Sequence, residues 1–156
     1  MMTDALTTFA EGVSAATTGV VGDVMDLSVN RDIGIGRQLY CVINVDAEVA
    51  VAGAAASVRF EVVTDGAAAL NTNTLVVGAS GELIGSLIRK HTGPIVIPLA
   101  QVATPTASAR LGRRYLGLRV TVDNGPATDL VVSAYLTDTD VVSPQGPYYP
   151  SGFTVA

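Results

Sequence analysis

A succession of short runs rich in β-branched residues, each closed by a cluster of glycine, aspartate, asparagine or proline, most constrains what this chain can fold into. Residues 20–27, 38–46 and 57–64 are the first such runs. In the third, Val58, Phe60 and Val62 alternate with Arg59 and Glu61, the period-two pattern of a strand with one wet face, and Asp65-Gly66 closes it as a turn. Residues 74–77, 83–87 and 95–99 are shorter candidates. Pro94 and Pro98 bound the last of these, and because proline cannot donate to a ladder, this run belongs at a sheet edge or a strand end. Further on, Tyr115, Gly117, Arg119 and Thr121 alternate with Leu116, Leu118, Val120 and Val122. Residues 129–137 follow after Asp123-Asn124-Gly125-Pro126, and the two runs are expected to form a hairpin.

Helical signal is confined to the N-terminus, where Leu6, Phe9 and Val13 share one helical face, with Asp4 as a cap and Gly12 as a stop; an arm lying across a neighbour is the alternative. Residues 102–109 are small and polar and read as a long loop. About eight strands without crossover helices exclude a parallel α/β sheet and leave a sandwich or barrel. The preferred form is an all-β jelly-roll β-sandwich of antiparallel strands over residues 1–140. Residues 141–156 form a separate, extended C-terminal tail: Pro144, Pro147 and Pro150 prevent regular pairing, and the tail carries Tyr148, Tyr149 and Phe153, which it cannot bury by itself.

Only 15% of residues are charged, against roughly 25% in an average globular protein, so part of the surface is weakly charged, and such surface is often covered by a partner. Lys90 is the only lysine among nine basic residues. Interfaces favour arginine, whose rigid fork pairs with carboxylates, and deplete lysine, whose hydrated ammonium resists desolvation. The net charge of −5 argues against a nucleic-acid binder, which needs a basic stripe. No apolar run approaches the roughly 20 residues that span a bilayer, and no basic segment followed by an apolar one opens the chain, so neither a membrane span nor a signal peptide is expected.

Reactive groups are sparse. His91 is the only histidine and sits in the charged stretch Arg89-Lys90-His91, which reads as a solvated loop. Gly78-Ala79-Ser80-Gly81-Glu82 misses the nucleophile elbow, which requires glycine where Glu82 stands. Cys41 lies in the apolar run Leu39-Tyr40-Cys41-Val42-Ile43 and reads as a small hydrophobe, so with one cysteine and one histidine a zinc site would have to be completed by carboxylates. Asp23 with Asp26, or Asp138 with Asp140, has oxygen chemistry suited to calcium, but such aspartates also cap turns and strand ends. The expectation is no enzyme, no cofactor and no metal.

The candidate residues are therefore partner-binding ones. Arg31, Asp32 and Arg37 surround Gly34 and Gly36, which reads either as an arginine-lined contact with a partner's carboxylates or as a turn with solvated charges. Arg110, Arg113 and Arg114 precede a strand; because adjacent strand positions alternate faces, Arg113 and Arg114 should not share one outer surface, and one is a candidate to face a sister subunit. Tyr148, Tyr149 and Phe153 offer large contact area at low entropic cost, as interface anchors do.

Several segments occur in the order found in one family. They are Val24-Met25-Asp26-Leu27, then Arg31-Asp32-Ile33-Gly34-Ile35-Gly36 leading into Leu39-Tyr40-Cys41-Val42, then residues 58–65. Near the end come Leu111-Gly112-Arg113-Arg114-Tyr115-Leu116-Gly117-Leu118 and Val132-Ser133-Ala134-Tyr135-Leu136-Thr137-Asp138. Over residues 6–138 the chain resembles the capsid cement, or decoration, proteins of short-tailed bacteriophages. The resemblance implies a jelly-roll fold, homodimers, the major capsid protein as partner, and a place on the outer surface of the virion's capsid where neighbouring capsomers meet. Its tail after Asp140 and its alanine-rich stretch 49–56 are longer than in that family. The expected function is structural: bridging neighbouring major capsid proteins, with neither nucleic acid nor membrane as partner. The alternative is a carbohydrate-binding or receptor-binding β-sandwich module of a virion, weakened by the absence of tryptophan and an aromatic share of only 5%.

Overall fold

The β-branched runs become strands in the computed structural model, which describes residues 7–28, 38–72, 74–90, 93–99 and 113–138. In chain order these are β1 (Thr8–Ser14), β2 (Gly19–Asp26), β3 (Tyr40–Ala47), β4 (Ser57–Asp65) and β5 (Leu75–Ala79). They continue as β6 (Leu83–Ile84), β7 (Ile95–Pro98), β8 (Tyr115–Asp123) and β9 (Val131–Thr137). Every pairing is antiparallel. One sheet has the order β1-β9-β3-β7 and the other β2-β8-β4-β5, with the short β6 added beside the start of β4.

That order is a jelly roll, and its logic is simple. The first strand pairs with the last, β1 with β9; the next inward, β2 with β8; and the next, β3 with β7. The chain is thus one long antiparallel ribbon rolled up so that its two halves form two stacked sheets. The period-two alternation supplies the core between them. Phe9, Ile43, Ile97 and Val132 from one sheet meet Val21, Phe60, Val62, Leu116 and Leu118 from the other, all at most 1% exposed. Cys41 is part of this core, and burial pushes its thiol up to about 12, so it is protonated and unreactive at neutral pH. The strand bounded by Pro94 and Pro98 lies at an edge, as β7, where a missing donor costs nothing.

Four local expectations are corrected. The N-terminal apolar residues Phe9 and Val13 belong to strand β1, not a helix: their spacing fits two strand periods as well as one helical turn, and both pack on the core from an extended strand. The runs at 115–122 and 129–137 are not a hairpin, because β8 pairs with β2 and β4 while β9 pairs with β1 and β3. Asn124 and Gly125 adopt positive φ, 61° and 103°, as a tight turn requires. The link that follows is then drawn across to the other sheet by Ala127 N–H donating to Ala16 O (2.9 Å) and Ala15 N–H donating to Leu130 O (2.9 Å). The run 83–87 is strand only at Leu83–Ile84 and continues as a 3-10 turn at Gly85–Leu87. Finally, the outer face of β4 is not uniformly wet. Arg59 is exposed, but Glu61 is 3% exposed and Val63 and Asp65 are fully buried.

Candidate functional site

Strand direction brings distant parts of the sequence to one end of the sandwich. Asp26 at the end of β2 pairs with Tyr115 at the start of β8, which pairs in turn with Asp65 at the end of β4. Tyr40 at the start of β3 pairs with Pro98 at the end of β7 and with Thr137 at the end of β9. Short links at residues 15–18 and 124–130 join the two sheets at the opposite end, so these two sets of strand ends face the same way. Gln38 ties the links together: its Nε2 donates to Leu99 O (2.5 Å) and Leu39 O (3.1 Å), while Leu99 N–H donates to Leu39 O (2.9 Å).

Ser28 and Gln38 flank the segment that carries Arg31, Asp32 and Arg37; Leu99 and Arg113 flank the one that carries Arg110; Asp138 precedes the tail that carries Tyr148, Tyr149 and Phe153. Those seven residues lie outside the described ones, as do His91, Asp140 and residues 102–109. Their points of attachment all stand at this one end. Arg113 is described: its backbone N–H donates to Thr64 Oγ1 (3.1 Å), and its buried Nε has no acceptor among the described residues.

Its neighbour Arg114 is committed elsewhere. Nε and Nη2 of Arg114 donate to Asp26 Oδ1 (2.8 Å) and Oδ2 (2.7 Å), and Ser28 N–H donates to Asp26 Oδ1 (2.8 Å). Hydrogen bonding by Arg114, and secondarily by the Ser28 amide, holds the Asp26 carboxyl down at about 2, while Asp26 raises the Arg114 guanidinium. The guanidinium carbon also sits 5.0 Å from the centre of the Tyr115 ring. Both partners are nearly half exposed, so the pair contributes little stability and serves to orient the rim. It also occupies one of the two aspartates, Asp23 and Asp26, considered for calcium. Among the described residues no group of three or more His, Cys, Asp or Glu side chains is arranged to hold a metal.

Beside this pair, residues 66–72 fold back over the outer face of the second sheet. The fully buried Asp65 organises them: Oδ1 accepts from Ala67 N–H (3.2 Å), and Oδ2 accepts from Thr72 N–H (2.9 Å) and Thr74 Oγ1 (3.1 Å). Thr74 Oγ1 also lies 2.9 Å from Leu70 O, its acceptor there. Leu70 is 2% exposed and holds φ of +51°, a conformation that leucine adopts only when its surroundings demand it. It fills the space above Gly117, where an added Cβ would stand 2.4 Å from Leu70 Cδ1. Sequence reading reduced this element to a turn at Asp65-Gly66; the signal available was Thr72 and Thr74 within reach of one aspartate.

Further along the same face, Glu61 is clasped by two arginines. Arg59 Nη2 lies 2.6 Å from Oε1, and Arg119 places Nη2 2.7 Å and Nε 3.1 Å from Oε2. Ser80, from the rejected elbow motif, has its Oγ engaged by Phe60 N–H (3.0 Å) and by Gly81 O (2.8 Å), so it closes the β4–β5 edge.

These features define a class: an antiparallel jelly-roll sandwich whose long connections and C-terminal tail depart from one end, with its cysteine and its most buried acids engaged in structure. The chain belongs to the Bbp16 family, whose model matches residues 9–136, from the start of β1 almost to the end of β9. No curated protein matches the sequence.

Proposed function

We propose that this protein is a structural capsid cement protein, acting as a homodimer on the outer surface of a phage head and bridging neighbouring copies of the major capsid protein. The observation that carries the reading is that the points of attachment of three segments lie at one end of the jelly roll. Those segments hold Arg31, Asp32 and Arg37; Arg110; and Tyr148, Tyr149 and Phe153. Arginine forks and aromatic rings are the side chains that contribute most at protein interfaces, and the strand ends from which these segments depart stand at one end of the sandwich. Membership of the Bbp16 family covers nearly the same stretch, residues 9–136, as the resemblance to phage cement proteins.

Bridging needs no chemistry. Each contact adds free energy that must be lost before two capsomers part, and contacts linked in one molecule engage at high effective concentration, so modest individual affinities suffice. The test is to titrate purified protein onto undecorated capsids. Saturable binding with a gain in the capsids' heat resistance is expected; absence of binding refutes the proposal.

A further inference from the structure

The opposite end of the sandwich carries the three most exposed large apolar side chains among the described residues: Val51 at 94%, Leu87 at 68% and Ile84 at 52%. Val51 and Leu87 stand on two 3-10 turns, Val51–Gly53 and Gly85–Leu87, which pack against each other. Gly85 N–H donates to Ala56 O (2.7 Å), Ser86 N–H to Ala54 O (3.1 Å) and Ala50 N–H to Thr128 O (2.8 Å). A Cβ on Gly53 would fall 2.6 Å from Thr128 N, and one on Gly85 2.6 Å from Gly53 O. Backbone lies directly on backbone, so the turns cannot collapse inward to hide Val51 or Leu87. The platform is rigid, apolar and outward-facing.

Beside it is a recess of about 290 Å³, walled by Val49, Ala54 and Ile88 together with Glu48, Arg89 and Asp129. An apolar cavity of about 150 Å³ already accepts benzene, so this recess has room for an aromatic side chain. Its polar walls suit a phenol, whose hydroxyl can donate to the carboxylate of Glu48 or Asp129, while Arg89 Nε donates to Ser86 O (3.2 Å) and forms part of the wall. The chain itself contains such an occupant. Residues 141–156 carry no charged side chain, and Pro147-Tyr148-Tyr149-Pro150 brackets two tyrosines with prolines, whose fixed φ lowers the entropy lost on docking.

Reach decides whose tyrosines they are. The tail departs from the far end, a distance close to the length of the nine-residue β4, about 30 Å. Tyr148 lies ten residues beyond Asp138, a full extension of about 33 Å, and β9 points away from the recess. Reversing direction would consume several of those residues and leave the tyrosines short of their own recess. We propose that the recess beside the two 3-10 turns receives the Pro147-Tyr148-Tyr149-Pro150 segment of a second copy, linking copies head to tail. A contact of this kind joins different surfaces and need not close, so it extends from copy to copy over a repeating lattice. The inference goes beyond the cement reading and does not depend on which lattice is bound.

Sedimentation of the full-length protein in the absence of capsids tests it, so its failure is separable from failure to bind capsids. Wild type is expected to gain mass with concentration. Full-length Val51→Asp/Leu87→Asp, which alters only exposed side chains, and full-length Tyr148→Ser/Tyr149→Ser are each expected to weaken this association about tenfold or more, with unchanged melting temperatures. Mixed at equal concentration, one variant supplies intact tails and the other intact recesses, and association should return. A wild-type mass independent of concentration, or a mixture no more associated than its components, overturns the proposal.

Discussion

Leu70 and Gly117 provide a double-mutant cycle whose sign is dictated by one distance. Leu70→Ala empties a buried site. Such changes cost about 2–5 kcal/mol according to how far the surroundings relax. Leu70 is 2% exposed, but it sits in a surface loop that can settle toward the sheet, so about 2–3 kcal/mol is expected. Gly117→Ala alone forces a methyl group to 2.4 Å from Leu70 Cδ1. Leu70 has little freedom to withdraw, because its backbone is held in a left-handed conformation and its carbonyl is bonded by Thr74, so an overpacking cost of about 1–3 kcal/mol follows. In the double variant that clash is gone. The nearest remaining neighbour of the new methyl outside residue 70 is Val24 Cγ2 at 3.4 Å, an ordinary contact, and replacing glycine by alanine then removes unfolded-state entropy worth about 0.4–1 kcal/mol. The double variant should therefore lose about 2 kcal/mol less than the sum of the single losses. Urea unfolding of all four proteins, followed by far-ultraviolet circular dichroism, measures this directly. Additivity within about 0.5 kcal/mol would mean that Leu70 does not rest on Gly117 and that the loop is not a packed part of the sandwich.

Removing either side of the Glu61 clasp should be unequal in effect. Arg119→Met leaves a buried carboxylate with Arg59 alone, whereas Glu61→Gln frees two partly exposed arginines to turn toward water, so losses of about 2 and about 1 kcal/mol are expected by the same denaturation assay; the reverse order would contradict the burial assigned to Glu61. For Asp26 the expectation concerns pH. Its folded pKa, about 2, lies below the ordinary 3.8, so the stabilisation it gives is present above pH 4 and is lost as pH falls toward 2. The difference in melting temperature between wild type and Asp26→Asn should shrink over that window and also in high salt, because the pair is exposed; a difference that persists at pH 2 would show that the ion pair is not its source.

How much of this was legible in the chain differs from element to element. The alternation through 115–122 identified β8 and its inner face, and the paired prolines put β7 at an edge, because side-chain alternation and a missing amide donor are local properties of an extended chain. The arginine and aromatic candidates could be named by type, yet nothing local indicated that segments some 100 residues apart leave from one end; strand direction in the rolled ribbon decided that. At 123–126 the turn residues do form a turn, but the partner of β8 is chosen by the core and by hydrogen bonds that tie the following link to residues 15–16. The spacing of Phe9 and Val13 fits one helical turn and two strand periods alike, and pairing with the last strand decided for β1. Glu61 and Asp65 sit at positions that alternate outward, and only the folded surroundings buried them, by laying two arginines over one and a returning loop over the other. The sequence by itself determined the extended segments, their faces and their punctuation, which depend on neighbours a few residues away. Which strands pair, which acids are buried and which segments share an end depend on contacts between residues far apart in the chain, and only the tertiary structure decided them.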